Sequence, residues 1–226
     1  MAKIAHAAKN EKGTYKDGKR GDQTGKEVCI REWYNRPWNF VLRAKSASMR
    51  EKIAYAMEGA AKNDKIGYSQ FDRNAALLEA TKVCYDPSKI TVPVNTDCSG
   101  LVSLACIYAG VPQTVLYKSG NSSTTANLRM RLMSTGLFDC YSSKEYTAKT
   151  DKLIRGDILL YENHHTAVVV QVDEAMNIAP KKDVHTVALE VIQNKWSTGG
   201  RRRALLMEAG YDPDEVQKEV NKMLKG

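Results

Sequence analysis

The stretch TDCSGLVSLACIYAG, residues 96–110, decides how this chain is read. It sets Cys98 between Asp97 and Ser99, directly ahead of an apolar run in which only Ser103 is polar from Leu101 to Ala109. A helix that is apolar all round is buried on most sides. Gly110 and Pro112 supply its stop. Cys98 therefore stands where a buried helix begins, at the positive end of the helix dipole. A thiol attacks as thiolate and titrates near ~8.5 when free, so such a position favours a nucleophile. The residues alone also admit a small buried hydrophobe at this position.

A cysteine nucleophile needs a base. The chain has four histidines, His6, His164, His165 and His185. Two of them open the run NHHTAVVV at 163–170, and His165 lies 67 residues after Cys98. Ile158–Tyr161 and Thr166–Val172 read as two strands, with polar Glu162 and Asn163 between them. A histidine at the start of a strand beside the helix is placed to act as the base, although a plain turn residue is the alternative on the residues alone.

Upstream, residues 1–28 are polar and glycine-rich with no clear period, and Pro37 interrupts any long helix in EVCIREWYNRPWNFVLRAK. Residues 49–62 read as a helix with Ile53, Met57 and Ala60 on one face. A second helix is expected over 71–87, capped by Asp72 and ended at Asp86-Pro87. Residues 113–150 are Ser/Thr-rich with a short amphipathic piece at TTANLRMRLMSTG.

At 226 residues, 42% hydrophobic and 27% charged, the composition is that of a soluble globular chain. The net charge of +8 favours an anionic partner. Arg201–Arg203 is the only tight basic cluster, which argues against nucleic acid. The five cysteines are odd in number and form no CxxC, against a disulfide framework or a zinc site. No signal peptide and no 18-residue apolar span are legible, so the expectation is a chain made in the cytoplasm without membrane insertion.

TDCSGLV, a helix, and then RGDILLYENHHTAVVV resemble the NlpC-type papain-like cysteine peptidases, and GDQTGKEVCIREWYNRPWNFVLR is similar to bacteriophage endolysins that carry such domains. The resemblance covers roughly residues 20–180. It implies an α+β, papain-like fold with a small antiparallel sheet and a buried helix led by the cysteine. It implies Cys98 as nucleophile and His165 as base, with a backbone N–H at the helix start forming the oxyanion hole. Asp97, Ser99 and His164 would contact the substrate peptide, and Asp157 reads as a turn or structural residue. The family's orienting residue follows the base by about twelve positions, which points to Asn177. A tight turn at Asp173-Glu174 would set Asn177 opposite Val170, roughly 17 Å from His165 at about 3.3 Å per residue, so only a longer turn or a bulge rescues it. The implied reaction is acyl transfer on an amide of peptidoglycan, with no metal and no cofactor.

The segment VALEVIQNKWSTGGRRRALLMEAGYDPDEVQKEVNKML, 187–224, reads as three short helices. Asp212 caps the third, Pro213 opens it, and Val216, Val220 and Leu224 repeat at four-residue spacing. The segment resembles the wall-binding repeat at the C-terminus of certain phage lysozymes, which implies recognition of a muropeptide. Trp196, Arg201, Arg202 and Tyr211 are its candidate contacts, with a core role the alternative for both aromatics. The sequence departs from the repeat at Lys195-Trp196-Ser197-Thr198-Gly199, where Lys-Trp-Gly-x-Gly is usual, and holds one copy.

These readings divide the chain into a catalytic domain, 1–179, a linker, 180–186, and a wall-binding module, 187–226. The expected function is a phage-type endolysin that is made in the host cytoplasm and, after release, cleaves a stem-peptide amide of the bacterial cell wall. An N-acetylmuramoyl-L-alanine amidase with the same machinery and a non-catalytic wall-binding protein are the alternatives. The oligomeric state is not legible in the sequence.

Overall fold

A computed structural model describes residues 2–172, 182–209 and 211–225. It divides into two compact units, residues 1–177 and 178–226. In chain order the large unit runs β1 (Lys3–Ala7), β2 (Val28–Glu32), β3 (Phe40–Ala44), α1 (Ala47–Ala61), β4 (Ile66–Tyr68), α2 (Ala75–Ala80), β5 (Val94–Thr96), α3 (Cys98–Tyr108), α4 (Gln113–Leu116), β6 (Tyr117–Lys118), β7 (Asn121–Ser122), α5 (Leu128–Met133), β8 (Phe138–Tyr141), α6 (Lys144–Thr147), β9 (Ile158–Tyr161) and β10 (His165–Gln171). The unit is mixed α+β, built on a six-stranded antiparallel sheet of order β2-β1-β10-β9-β3-β8.

The period-2 rule sorts the strand residues to two faces. Ala5, Ala7, Leu42, Ala44, Ile158, Leu160, Val168 and Val170 share a core with α1 and α3. Their neighbours Ile4, Val41, Leu159, Ala167 and Val169 form a second core with Trp38 and Leu153. Strands apolar on both faces read as continuous hydrophobic runs, which is why 158–161 and 166–172 were conspicuous.

The N-terminal stretch departs from its expected irregularity. Lys3–Ala7 is a central strand between β2 and β10. Its alanines carry little strand propensity, but they fit where helices cover the sheet, and packing against neighbours decides strand formation more than propensity does. The expected helix over 71–87 is also shorter. It is α2 followed by 3₁₀ turns at Thr81–Val83 and Pro87–Lys89, because Cys84 and Tyr85 take left-handed φ values of 56° and 62°. Asp72 binds Arg20 at 2.7 Å, and Asn74 holds the N-cap position.

The small unit contains α7 (Val184–Ile192), α8 (Gly199–Glu208) and α9 (Pro213–Lys225). Asp183 caps α7 through the Thr186 N–H, so a helix begins inside the stretch expected to be linker. Val187, Ala188, Val191, Leu206, Val216 and Val220 form its core, with Val184, Trp196, Tyr211 and Met223 packed against them. Leu224, expected on the apolar face of α9, is 68% exposed. The inward position falls to Met223, since a 3.6-residue turn drifts away from strict four-residue spacing. Among the described residues no helix is long and apolar enough to cross a membrane.

Candidate active site

The site begins with α3. All ten residues from Cys98 to Ile107 are buried, and Leu101 and Leu104 are fully so. Burying each such leucine is worth about 1.5–3 kcal/mol, which fixes the helix axially against the sheet. Asp97 is the N-cap, and its carboxylate accepts the Gly100 N–H at 2.6 Å. A Cβ on Gly100 would come within 2.8 Å of the Arg73 carbonyl oxygen and 2.9 Å of Thr96 Oγ1, which explains a glycine two residues after the cysteine.

Arg73, read in the sequence only as part of a helix, pins this terminus. Its guanidinium donates to both Asp97 oxygens at 2.6 and 3.2 Å, to Ser99 Oγ at 2.9 Å, and to the carbonyls of Ser122 and Ser123. Asp97 and Ser99, expected to meet substrate, are buried and spend their polar atoms on Arg73, on Gly100 and on each other. Asp157 is fully buried and accepts two bonds of 2.7 Å from Arg43.

His165 opens β10, across from Tyr161. Its ring lies over Trp38, with centroids 6.1 Å apart. Its Nε2 is 3.0 Å from Nδ1 of His6, which projects from the neighbouring strand β1. His6 is thus a ring partner of His165; Asn177, the sequence candidate for that role, lies outside the described residues. His164 is exposed and stacks on Tyr161 at 4.1 Å. Of the two adjacent histidines only His165 is buried, while both line the same groove.

The backbones of Thr166 and Ser99 favour the Cys98 thiolate electrostatically, and α3 packs against β10. Thr166 is the residue after His165, so α3 and β10 bring the thiol and the imidazole strand together. Tyr68, at the end of β4, lies within electrostatic reach of the same sulfur, and burial pushes its phenol upward.

The charge state differs from the expected resting thiolate. Burial, then Asp97, push the Cys98 thiol up to about 12, against the backbones of Thr166 and Ser99 and against Arg73. Desolvation can move a buried group by 3–5 pH units, whereas a helix terminus contributes ~1 kcal/mol, so burial wins. Burial and the neighbouring His6 and Arg36 press His165 down to about 3, and burial with Arg31 and Arg36 presses His6 down to about 4. The resting pair is a neutral thiol and a neutral imidazole. Cys98 retains 7% of its surface.

A groove of about 1090 Å³ runs past His165, lined by His6, His164, His165, Tyr68 and Gln70 and by the chain around Lys9–Tyr15 and Lys26–Arg36; Cys98 lies behind this lining. Among the described residues no cluster of His, Cys, Asp and Glu could hold a metal ion.

In the small unit Trp196 donates to Glu190 at 3.0 Å and meets Tyr211 edge-on, with centroids 6.0 Å apart. Arg202 donates to the Ser197 carbonyl, while Arg201 is exposed. Arg202, Arg203 and Leu206 line a second hollow of about 190 Å³ against Val216 and Asp214.

Two family models match the chain. The one described as an endolysin-like domain covers residues 4–176, and the one described as a CW_7 repeat covers residues 185–224. No curated protein and no solved structure matches it.

Proposed function

The chain belongs to the endolysin-like domain family and ends in a cell-wall repeat, and on that premise we propose that the large unit is a cysteine hydrolase that cleaves an amide bond of peptidoglycan, on a papain-like NlpC arrangement. The observation that carries this reading is the 3.0 Å contact between His6 and His165 at the start of β10, the strand against which the Cys98 helix α3 packs.

The proposed chemistry starts from neutral partners. We assign the pair the tautomer in which His165 Nε2–H donates to His6 Nδ1, which leaves Nδ1 of His165 as the basic nitrogen. As the sulfur attacks the amide carbonyl, its proton passes to that nitrogen. The imidazolium then protonates the leaving amine, and water releases the thioester. The backbone N–H groups of Ser99 and Thr166 and the Tyr68 hydroxyl are candidate donors to the oxyanion. His6 touches no reacting atom and is a positioning residue. The small unit supplies wall affinity, for which Arg201 and the hollow beside Arg202 are the open surface, while Trp196 and Tyr211 also hold the fold.

The test is lysis of purified wall by wild type and by Cys98→Ala and His165→Ala. Wild type is expected to lyse wall and both variants to be inert. Lysis undiminished in both removes the catalytic reading, and absence of lysis by wild type favours the wall-binding alternative. New amino termini without released sugar identify an endopeptidase; lactyl-sugar ends identify the amidase.

A further inference from the structure

Most arginines of the large unit are spent on the fold. Arg20, Arg43, Arg73, Arg129 and Arg155 each hold a carboxylate. Arg31 and Arg36 differ. Among the described residues neither has a carboxylate partner, and each lies over a tyrosine ring, Arg31 above Tyr34 at 4.7 Å and Arg36 above Tyr161 at 5.9 Å. A guanidinium laid on an aromatic face keeps its N–H edge free and loses rotamer freedom in advance, which suits two-point capture of a carboxylate.

Both arginines line the groove that His6 and His165 line. Both act electrostatically on His6, and Arg36 also acts on His165, so their charges lie close to the pair. Lys9 and Lys26 add to the same wall. Its one carboxylate, Glu11, already accepts the backbone N–H of Lys19 at 3.3 Å. Among the described residues, a concave wall with four cations and one engaged acid beside His165 selects a negative substrate group.

We propose that Arg31 and Arg36 are the specificity-determining residues of this groove and bind a free carboxylate of the peptide next to the amide under attack. The inference rests on reading the large unit as a Cys98-dependent amide hydrolase. It says that the substrate is an acidic stem peptide, and that converting the carboxylate to its carboxamide removes recognition.

The test uses the full chain and a sugar-free stem tetrapeptide bearing free D-glutamyl and terminal carboxylates, together with twins amidated at each. Calorimetry with Cys98→Ala reads recognition without turnover. One twin is expected to bind at least tenfold more weakly than the acid. Cys98→Ala carrying Arg31→Gln and Arg36→Gln should bind acid and amide alike, and Arg36→Lys, which keeps charge but loses the fork, should fall between. Near-ultraviolet circular dichroism establishes that each variant is folded. Equal affinity of acid and both twins, or a preference that survives the double substitution, overturns the proposal. Turnover by wild type separates the two readings. Cleavage of acid and amides at equal rates refutes carboxylate selection and leaves the hydrolase standing. Selective binding without cleavage of the peptide keeps the carboxylate site, and wall lysis by wild type then decides the hydrolase: no lysis removes it.

Discussion

Acid should unfold the large unit through its two buried histidines, in a pH range where few other groups titrate. In the unfolded chain a histidine titrates near 6.5. In the folded chain His6 is pressed to about 4 and His165 to about 3, chiefly by burial. These are bases with lowered values, so the native state holds them neutral and the unfolded chain takes up protons first. Stability is therefore complete above about pH 6.5 and is lost as pH falls from there toward 4. At pH 5 each imidazole contributes a loss of about 2 kcal/mol relative to neutral pH, or up to ~4 kcal/mol together. Glu27 and Asp157, raised by burial, bind protons more readily when folded and offset part of the loss. A net fall of ~2–4 kcal/mol is a large share of an ordinary domain stability of 5–15 kcal/mol. Urea unfolding of the full chain, followed by tryptophan fluorescence in a Trp196→Phe background, confines the signal to Trp33 and Trp38. His6→Gln removes one of the two sites and should roughly halve the slope between pH 6.5 and 5. A stability flat to within about 0.5 kcal/mol over that range, or a slope that His6→Gln leaves unchanged, refutes the reasoning.

Three further outcomes follow from the same geometry. His6→Ala should lower kcat/KM for wall fragments by ~10²-fold with little change in KM, since it frees the His165 ring, and His6→Asn should recover part of the loss; equal activity in both would remove His6 from the mechanism. Arg73→Ala breaks an ion pair whose side chains are only 14% and 10% exposed, and should cost about 3–5 kcal/mol in thermal or urea unfolding because Asp97 is left charged and buried. Gly100→Ala forces a methyl against the Arg73 carbonyl and Thr96, so a loss of ~1–3 kcal/mol is expected, with a fall in lysis as α3 shifts; an unchanged melting temperature would contradict the packing described.

The parts of the fold that were legible are those whose sequence carries its own period. The helix from Cys98 and the runs at 158–161 and 166–172 announce themselves because both faces are buried and nearly every position is apolar. What was not legible depends on partners distant in sequence. Lys3–Ala7 has no strand signature of its own and becomes a strand because β2 and β10 flank it. His6 could have been noticed as one of only four histidines, but no local pattern ties it to His165, 159 residues away. Arg73 gives no signal at all, since a lone arginine in a helical stretch reads as solvated. The charge state was misjudged for a similar reason. Position at a helix start is visible in a sequence, whereas the depth of burial that overrides it is a property of the assembled core.

The identity of the ring partner and the unpaired arginines bear on one another. A carboxylate at position 6 would orient His165 more strongly and stabilise its imidazolium, as acidic partners do. Here it would also stand within the field of Arg31 and Arg36, which already act on this position. It would engage one of them, leaving His165 less firmly held and the groove with less charge for a ligand. On the proposed tautomer a neutral imidazole accepts the His165 N–H without attracting either guanidinium. Burying a neutral thiol, two neutral imidazoles and no counter-ion also avoids a desolvation cost of several kcal/mol per ion. The arrangement is consistent as a set: neutral groups where the proton must move, and cations unpaired a short distance away. On the proposed reading, the negative charge missing from the site is the one the substrate brings.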